Sequence, residues 1–186
     1  MYGFLWTKKR IPNFQLVGYG ESKDGFHWTL PNLGLVNYNG LNENNICRIA
    51  RTNAEGIAVI RDPRDPDPDR RYKAFYWEHA SGNSAIPDIS VNGMSVSFSA
   101  DGKMWTDYPD NPVITLGSDT GQQAIYDPYI EKYVVYGRFG AGGRKVARAE
   151  SDDFVKWSPP RLVMQADSND GPRTQIYGMG ITLYEG

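Results

Sequence analysis

Along this chain hydrophobic and polar positions alternate with a period of two. The clearest case is residues 91–99, where Met94, Val96 and Phe98 alternate with Ser95, Ser97 and Ser99. Successive side chains of a strand point to opposite faces, so the pattern predicts a strand with one buried face and one polar face. Further strands are predicted over residues 2–7, 14–21, 56–60, 72–77, 123–126, 132–138, 145–151 and 177–184, each bounded by Gly, Pro, Asn or Asp. Residues 144–158 contain neither Gly nor Pro and could be written as a helix, but their apolar residues form no single stripe. Almost no helix is expected, and the fold class is all-β.

An internal repeat organises these strands. Its three copies are Ser22, Asp24 and Trp28; Ser99, Asp101 and Trp105; Ser151, Asp153 and Trp157, with Asp at +2 and Trp at +6 throughout. Proline follows each copy, and then an apolar pair, Leu35-Val36, Val113-Ile114 or Leu162-Val163. Ser and Asp close tight turns on nearby backbone N–H groups, Gly relieves a left-handed position, and the Trp then covers apolar surface between sheets. The third copy has Phe154 where the others have Gly25 and Gly102, so its turn is expected to differ.

A second element, strand, Asp-Pro, strand, precedes copies two and three at Asp62-Pro63 and Asp127-Pro128. Each full unit therefore has four strands, A and B joined at Asp-Pro, C and D joined at the Ser-Asp turn, as in a β-propeller blade. The predicted division is one domain, 1–186, with blade 1 (strands B to D) at about 1–50, blade 2 at about 51–115, blade 3 at about 116–170 and a first strand of a next blade at about 171–186. On this reading the chain begins and ends in mid-blade, as a piece of a longer protein. A two-fold homodimer joined through open propeller edges, completing six blades, is the other way to close the ring, and an isolated monomer should expose apolar edges.

At residues 126–138, 147–157 and 20–45 the sequence resembles the five-bladed propeller glycoside hydrolases, the superfamily of families 32 and 43. The resemblance implies a partial five-bladed propeller of about three blades acting on a carbohydrate through paired carboxylates. It is incomplete. The Asn-Asp-Pro-Asn-type nucleophile motif of the invertase branch is absent, and Cys47 follows Ile46, so the Glu-Cys acid motif is absent as well. Arg61-Asp62-Pro63 matches that branch's Arg-Asp-Pro in letters only, since here it ends a strand and opens a loop.

Charge and composition narrow the chemistry. Twenty basic against twenty-two acidic residues give a net charge of -2, with no basic face to hold a phosphate backbone, so nucleic acid is a poor partner. No apolar run reaches the roughly 18 residues needed to cross a bilayer, and residues 1–10 lack the order of a signal peptide; no membrane association is expected. One cysteine excludes an intramolecular disulfide, and two histidines far apart make a metal site improbable. Residues 61–71 balance four Asp against four Arg between prolines and read as a solvated hairpin loop rather than a calcium site. Gly140 to Gly143 reads as a hairpin connection rather than a phosphate loop, and no cofactor is expected.

Topology sorts the remaining candidates. A–B and C–D turns share the lower end of the blades, which puts Asp24, Asp62, Asp101, Asp127 and Asp153 there as turn-formers. The upper end receives Asn53, Glu55, Asp119, Thr120, Gln122 and Gln175 before A strands, and Trp77, Glu78, His79 and Arg138 after B strands. Glycoside hydrolysis needs two carboxylates across the scissile bond. Asp119, Glu78 and Glu55 are the catalytic candidates, with Asp119 favoured by the resemblance because catalytic acids of those families sit at inner-strand starts. Trp77 could stack a sugar ring, and His79, Arg138 and Gln175 could bind its hydroxyls or a carboxylate. The alternatives are a non-catalytic carbohydrate-binding or scaffold propeller, and a sialidase-like propeller, which needs an arginine trio of which only Arg138 is well placed.

Overall fold

The structure is a computed structural model that describes residues 2–5, 16–51, 53–79, 92–119, 121–139 and 143–184. Val91, Thr120 and most of the Gly140 to Gly143 connection lie outside these residues. The first unit holds β1 (Tyr2–Leu5), β2 (Leu16–Tyr19), β3 (Glu21–Ser22), β4 (Trp28–Thr29) and β5 (Ile46–Cys47), with sheet order β1-β2-β5 and a β3-β4 hairpin. The second is a four-stranded sheet in sequence order: β6 (Asn53–Arg61), β7 (Tyr72–His79), β8 (Asn92–Ser99) and β9 (Thr106–Asp107). The third repeats it with β10 (Gln123–Asp127), β11 (Lys132–Gly137), β12 (Val146–Ser151) and β13 (Arg161–Met164). All pairings among the described residues are antiparallel. The only helix among the described residues is a 3-10 turn, Pro68–Arg70. The chain is an all-β, propeller-like fold of successive antiparallel sheets.

Ladder register defines the two ends. Tyr72 pairs with both Arg61 and Ser99, so the Asp-Pro and Ser-Asp turns share the lower end. His79 pairs with Asn53 and Asn92 at the upper end. The outermost strand of each unit comes in two pieces. A lower piece sits at or just after the repeat Trp: Trp28 pairs with Ser22, Thr106 with Phe98, and Trp157 bridges Ser151. The upper piece is Ile46–Cys47, the Met94 bridge at Ile114, or β13. In the first unit the upper piece is therefore Ile46–Cys47 and not the apolar pair Leu35-Val36, because residues 30–45 form an excursion tied by Asn44, whose Nδ2 donates to Val36 O (2.8 Å) and Leu41 O (3.1 Å). In the second unit the gap is bridged by the Asn111 side chain, which accepts from Val96 N (2.9 Å) and donates to Val96 O (2.8 Å) in place of a ladder partner.

Among the described residues two cores lie between the sheets. Phe75, Met94 and Val96 of the second sheet meet Tyr133, Val135, Phe139, Ala149 and Phe154 of the third. Ala74 and Tyr76, on the opposite face of β7, meet Val17, Cys47, Ile49 and Ala50. The serine face of β8 is polar as expected but is buried too. Ser97 Oγ lies 2.8 Å from Tyr76 Oη and donates to Asp107 Oδ1 (2.7 Å), which spares these groups the cost of unpaired burial. Burial pushes the Cys47 thiol up to about 11. Trp105 and Trp157 pack on the sheet before their own, whereas Trp28 is 41% exposed.

The third Ser-Asp turn keeps the backbone shape of the others despite its Phe and differs by one bond: Gly25 N and Gly102 N donate to Ser22 Oγ (2.8 Å) and Ser99 Oγ (2.9 Å), and the Phe154 N–H makes no counterpart among the described residues. The Asp and Trp bonds are common to all three copies. Asp24 Oδ1 accepts from the N–H groups of Phe26 and His27, Asp101 Oδ1 from Lys103 and Met104, and Asp153 Oδ1 from Val155 and Lys156, all at 2.7–2.9 Å. Each Trp Nε1 then donates to the carbonyl of the residue three before it, at 3.0–3.2 Å. Phe154 adopts φ +66°, beside +78° for Gly25 and +74° for Gly102. A left-handed L residue costs about 1–2 kcal/mol. Phe154 offsets this because its ring is wholly buried, packed edge-on against Phe75, Phe98, Tyr133 and Trp157.

The 61–71 loop is solvated at its tip and not at its root. Asp62 is 2% exposed and Lys73 fully buried. Asp62 accepts from Arg64 Nε (2.8 Å) and from the Tyr133 hydroxyl of the third sheet, and Lys73 Nζ stands 3.3 Å from its Oδ2. Lys73 also donates to Asp65 Oδ2 (2.8 Å) and to the Arg70 carbonyl (2.7 Å). Burial alone would raise the Asp62 pKa, but the Tyr133 and Arg64 hydrogen bonds and the Lys73 charge outweigh it and hold the carboxyl below its usual range. Burial and the Asp62 bond push the Tyr133 phenol well up.

Residues 177–184, predicted as a strand, run without ladder partners. A strand exists only by pairing, and no described segment lies in register beside them. No helix among the described residues is long and apolar enough to cross a membrane.

Candidate active site at the upper end of the sheets

Glu55 is placed by a bulge. The β6–β7 register shifts between Glu55 and Ala58, and Gly56 within the shift has φ +59°. A Cβ there would collide with the Gln122 amide and come within 3.1 Å of the Asp119 carbonyl. Gly56 is thus where the inner strand of the second sheet meets the loop leading into the inner strand of the third, and a side chain would force them apart. Gln122, buried, secures that loop by donating through Nε2 to Ser118 Oγ (2.9 Å) and to the Asp119 carbonyl; Ser118 Oγ donates in turn to Arg138 O (2.8 Å).

Glu55 is the ladder partner of Trp77, so the two share a face with His79 two residues on. Glu55 Oε1 lies 3.1 Å from His79 Nε2, both partly buried. The His79 ring stacks on Trp77 with centroids 4.3 Å apart and planes at 27°. Trp77 Nε1 donates to Asn92 Oδ1 (2.9 Å), which fixes the indole at the mouth of the sheet. The result is a carboxylate, an imidazole and an aromatic ring held in one row.

Asp119, 52% exposed, pairs with Nη2 of Arg138, which is 7% exposed at the end of β11. Tyr133 and Tyr72 pair with the corresponding serines Ser151 and Ser99, so Arg138 occupies in the third sheet the position that Trp77 holds in the second. Gln175 accepts from Arg144 Nη1 (3.1 Å).

Glu78 stands apart from Glu55 and Asp119. It points to the other face of β7, is fully buried, and accepts from Arg51 N (2.9 Å), Arg51 Nη2 (3.0 Å) and Ser95 Oγ (2.9 Å). Sequence reasoning did not single out Arg51, Asn92, Ser118 or Arg144. Gln122 was placed at this end, and its contact with Gly56 has a visible signal in the lone glycine of a strand pattern. Among the described residues no group of three or more His, Cys, Asp or Glu could hold a metal ion.

No family model and no curated protein matches the chain. Solved structures do. The chain is similar to an N-acetylgalactosamine deacetylase from F. plautii in complex with blood group B trisaccharide, with TM-score 0.56 and 17% identity over 90% of this chain. It is also similar to the GH32 β-fructofuranosidase of Bombyx mori, with TM-score 0.53 and 11% identity over 84% of this chain. At these identities the likeness is one of fold, and both neighbours are carbohydrate-active enzymes. The chain spans 50% of the deacetylase and 31% of the fructofuranosidase.

Proposed function

We propose that this chain forms part of a carbohydrate-active propeller that binds a glycan at its upper end and hydrolyses a glycosidic bond between Asp119 and Glu55. The observation that supports this reading is the approach of the Asp119 backbone to Gly56, the residue after Glu55, where the inner strand of one sheet meets the loop entering the next; in this reading the two carboxylates share one mouth. Each has a cationic or titratable partner, Arg138 or His79, and Trp77 supplies a ring against which a sugar can stack. Glu78 acts as a positioning residue, tying Arg51 to β8 beneath the site. Carboxylates disposed in this way serve as acid and as base or nucleophile. Further blades, from a longer chain or a second copy, complete the ring in this reading.

A second reading is favoured by the deacetylase neighbour, whose complex holds a trisaccharide: the propeller binds glycan and leaves chemistry to another domain. Assays on a panel of glycosides and oligosaccharides separate the two. Hydrolysis that falls about 10²–10⁴-fold in Asp119→Asn and in Glu55→Gln, with glycan binding kept, is the expected result. Binding with no hydrolysis to lose selects the second reading.

A further inference from the structure

We infer that Arg138, Arg144 and Tyr177 form a site for an oxyanion carried on a sugar, which rests on the carbohydrate reading above and narrows the ligand to acidic glycans. Arg138 is more than nine-tenths buried, and among the described residues its Nε and Nη1 have no hydrogen-bond partner, while Nη2 alone reaches Asp119. Buried guanidinium donors left unmet are costly, and an oxyanion is the acceptor whose geometry suits them.

The second observation is independent of the first. Arg138 Cζ lies 4.8 Å from the centre of the Tyr177 ring and Arg144 Cζ lies 5.1 Å from the same centre. Two cations gathered on one ring repel each other unless an anion joins them. Arg144 is held in place by its bond to Gln175 and by its carbonyl, which accepts from Ile176 N (3.1 Å). Two arginines against one aspartate leave this corner at +1 in a chain of net -2, so the attraction is local to the site.

Tyr177 supplies the sugar contact. It is 63% exposed, and its ring offers an apolar face to a pyranose. Residues 174–184 have no ladder to hold them, so the ring can give way by the width of a carboxylate as the ligand reaches Arg138. The oxyanion then bridges Arg138 and Arg144 while Asp119 keeps Nη2.

Calorimetric titration of the whole chain tests this with tetragalacturonate, the same tetrasaccharide with its carboxylates methyl-esterified, a 6-sulfated galactan tetrasaccharide and inorganic phosphate. The expected result is that tetragalacturonate or the sulfated chain binds at least about tenfold tighter than the ester, the gain of one charge-assisted hydrogen bond. Which of the two acids wins distinguishes a carboxylate from a sulfate ligand. Arg144→Gln, an exposed change that leaves the Asp119 pair alone, should bring the acid-to-ester ratio close to one. Equal affinity for acid and ester overturns the oxyanion site and leaves the carbohydrate reading standing. Phosphate binding as tightly as the sugar acids also overturns it, since the sugar then contributes nothing. Binding of no saccharide overturns both.

Discussion

An aspartate paired with a buried cation stands at each end of the junction between the second and third sheets, and the two pairs are built to different standards. At the lower end Lys73 directs its Nζ to Asp62, Asp65 and the Arg70 carbonyl, matching the three donors of an ammonium, and Asp62 is enclosed by Tyr133 and Arg64. At the upper end Arg138 is buried with two nitrogens unmet, and its partner Asp119 stands half in solvent. A network in which the ammonium and both carboxylates find partners holds sheets together and leaves little to offer a ligand. An open one, with a fixed cation below and an accessible carboxylate above, keeps capacity for chemistry. Completeness of bonding, more than charge or burial taken singly, separates the strut from the site.

The largest expected effect tests that separation directly. Lys73→Met removes the fully buried cation between Asp62 and Asp65, leaving them only the more exposed Arg64 and Arg70, and should lower the unfolding free energy by about 3 kcal/mol in urea denaturation. Arg138→Met removes a guanidinium that is incompletely bonded and frees a carboxylate that water already reaches, so the same assay should register a loss below about 1 kcal/mol. Equal losses would break the comparison.

Acid sharpens it. The Asp62 and Asp65 carboxyls are held below their usual range because hydrogen bonds from Tyr133, Arg64 and Lys73, with the Lys73 charge, outweigh burial. The unfolded chain therefore binds more protons than the folded one in this window, and stability rises with pH there. The contribution is complete above the unfolded carboxyl pKa of about 4 and is lost as pH falls through the lower folded values. Unfolding free energy measured from pH 6 downward should decline below about pH 4, and with a shallower slope in Lys73→Met than in the unsubstituted chain. An unchanged slope would mean that these carboxyls do not control the acid transition.

What could be read from the sequence was local. Met94, Val96 and Phe98 announce their strand because alternation is a property of one segment, and the Ser-Asp-Trp turn is a closed set of bonds within seven residues. Glu55, Asp119 and Arg138 could be assigned to the upper end because strand order alone carries them there. Their partners could not, since the bond from Glu55 to His79 and the pairing of Arg138 with Asp119 depend on a bulge and on a loop between sheets. The same limit hid the Asp62 strut, whose tyrosine comes from 71 residues away. It also hid the Tyr177 corner, which an expected strand disguised.

Phe154 shows how a distant core can override a local rule, and it yields the smallest effect to be measured. Phe154→Gly should relieve about 1–2 kcal/mol of left-handed strain. It also empties a site lined by Phe75, Phe98, Tyr133 and Trp157, where truncating a buried phenylalanine costs about 3–5 kcal/mol. The net expectation is a loss of about 2 kcal/mol, read as a shift in denaturation midpoint at unchanged slope. Gly102→Ala, at the equivalent position of the second turn, adds strain without filling a core and should lose about 1 kcal/mol. A gain in stability for Phe154→Gly would show that the turn bonds shape the third copy and that the core tolerates its loss. The predicted loss would show the reverse: packing between the second and third sheets holds the backbone in a conformation that the other two copies reach with glycine.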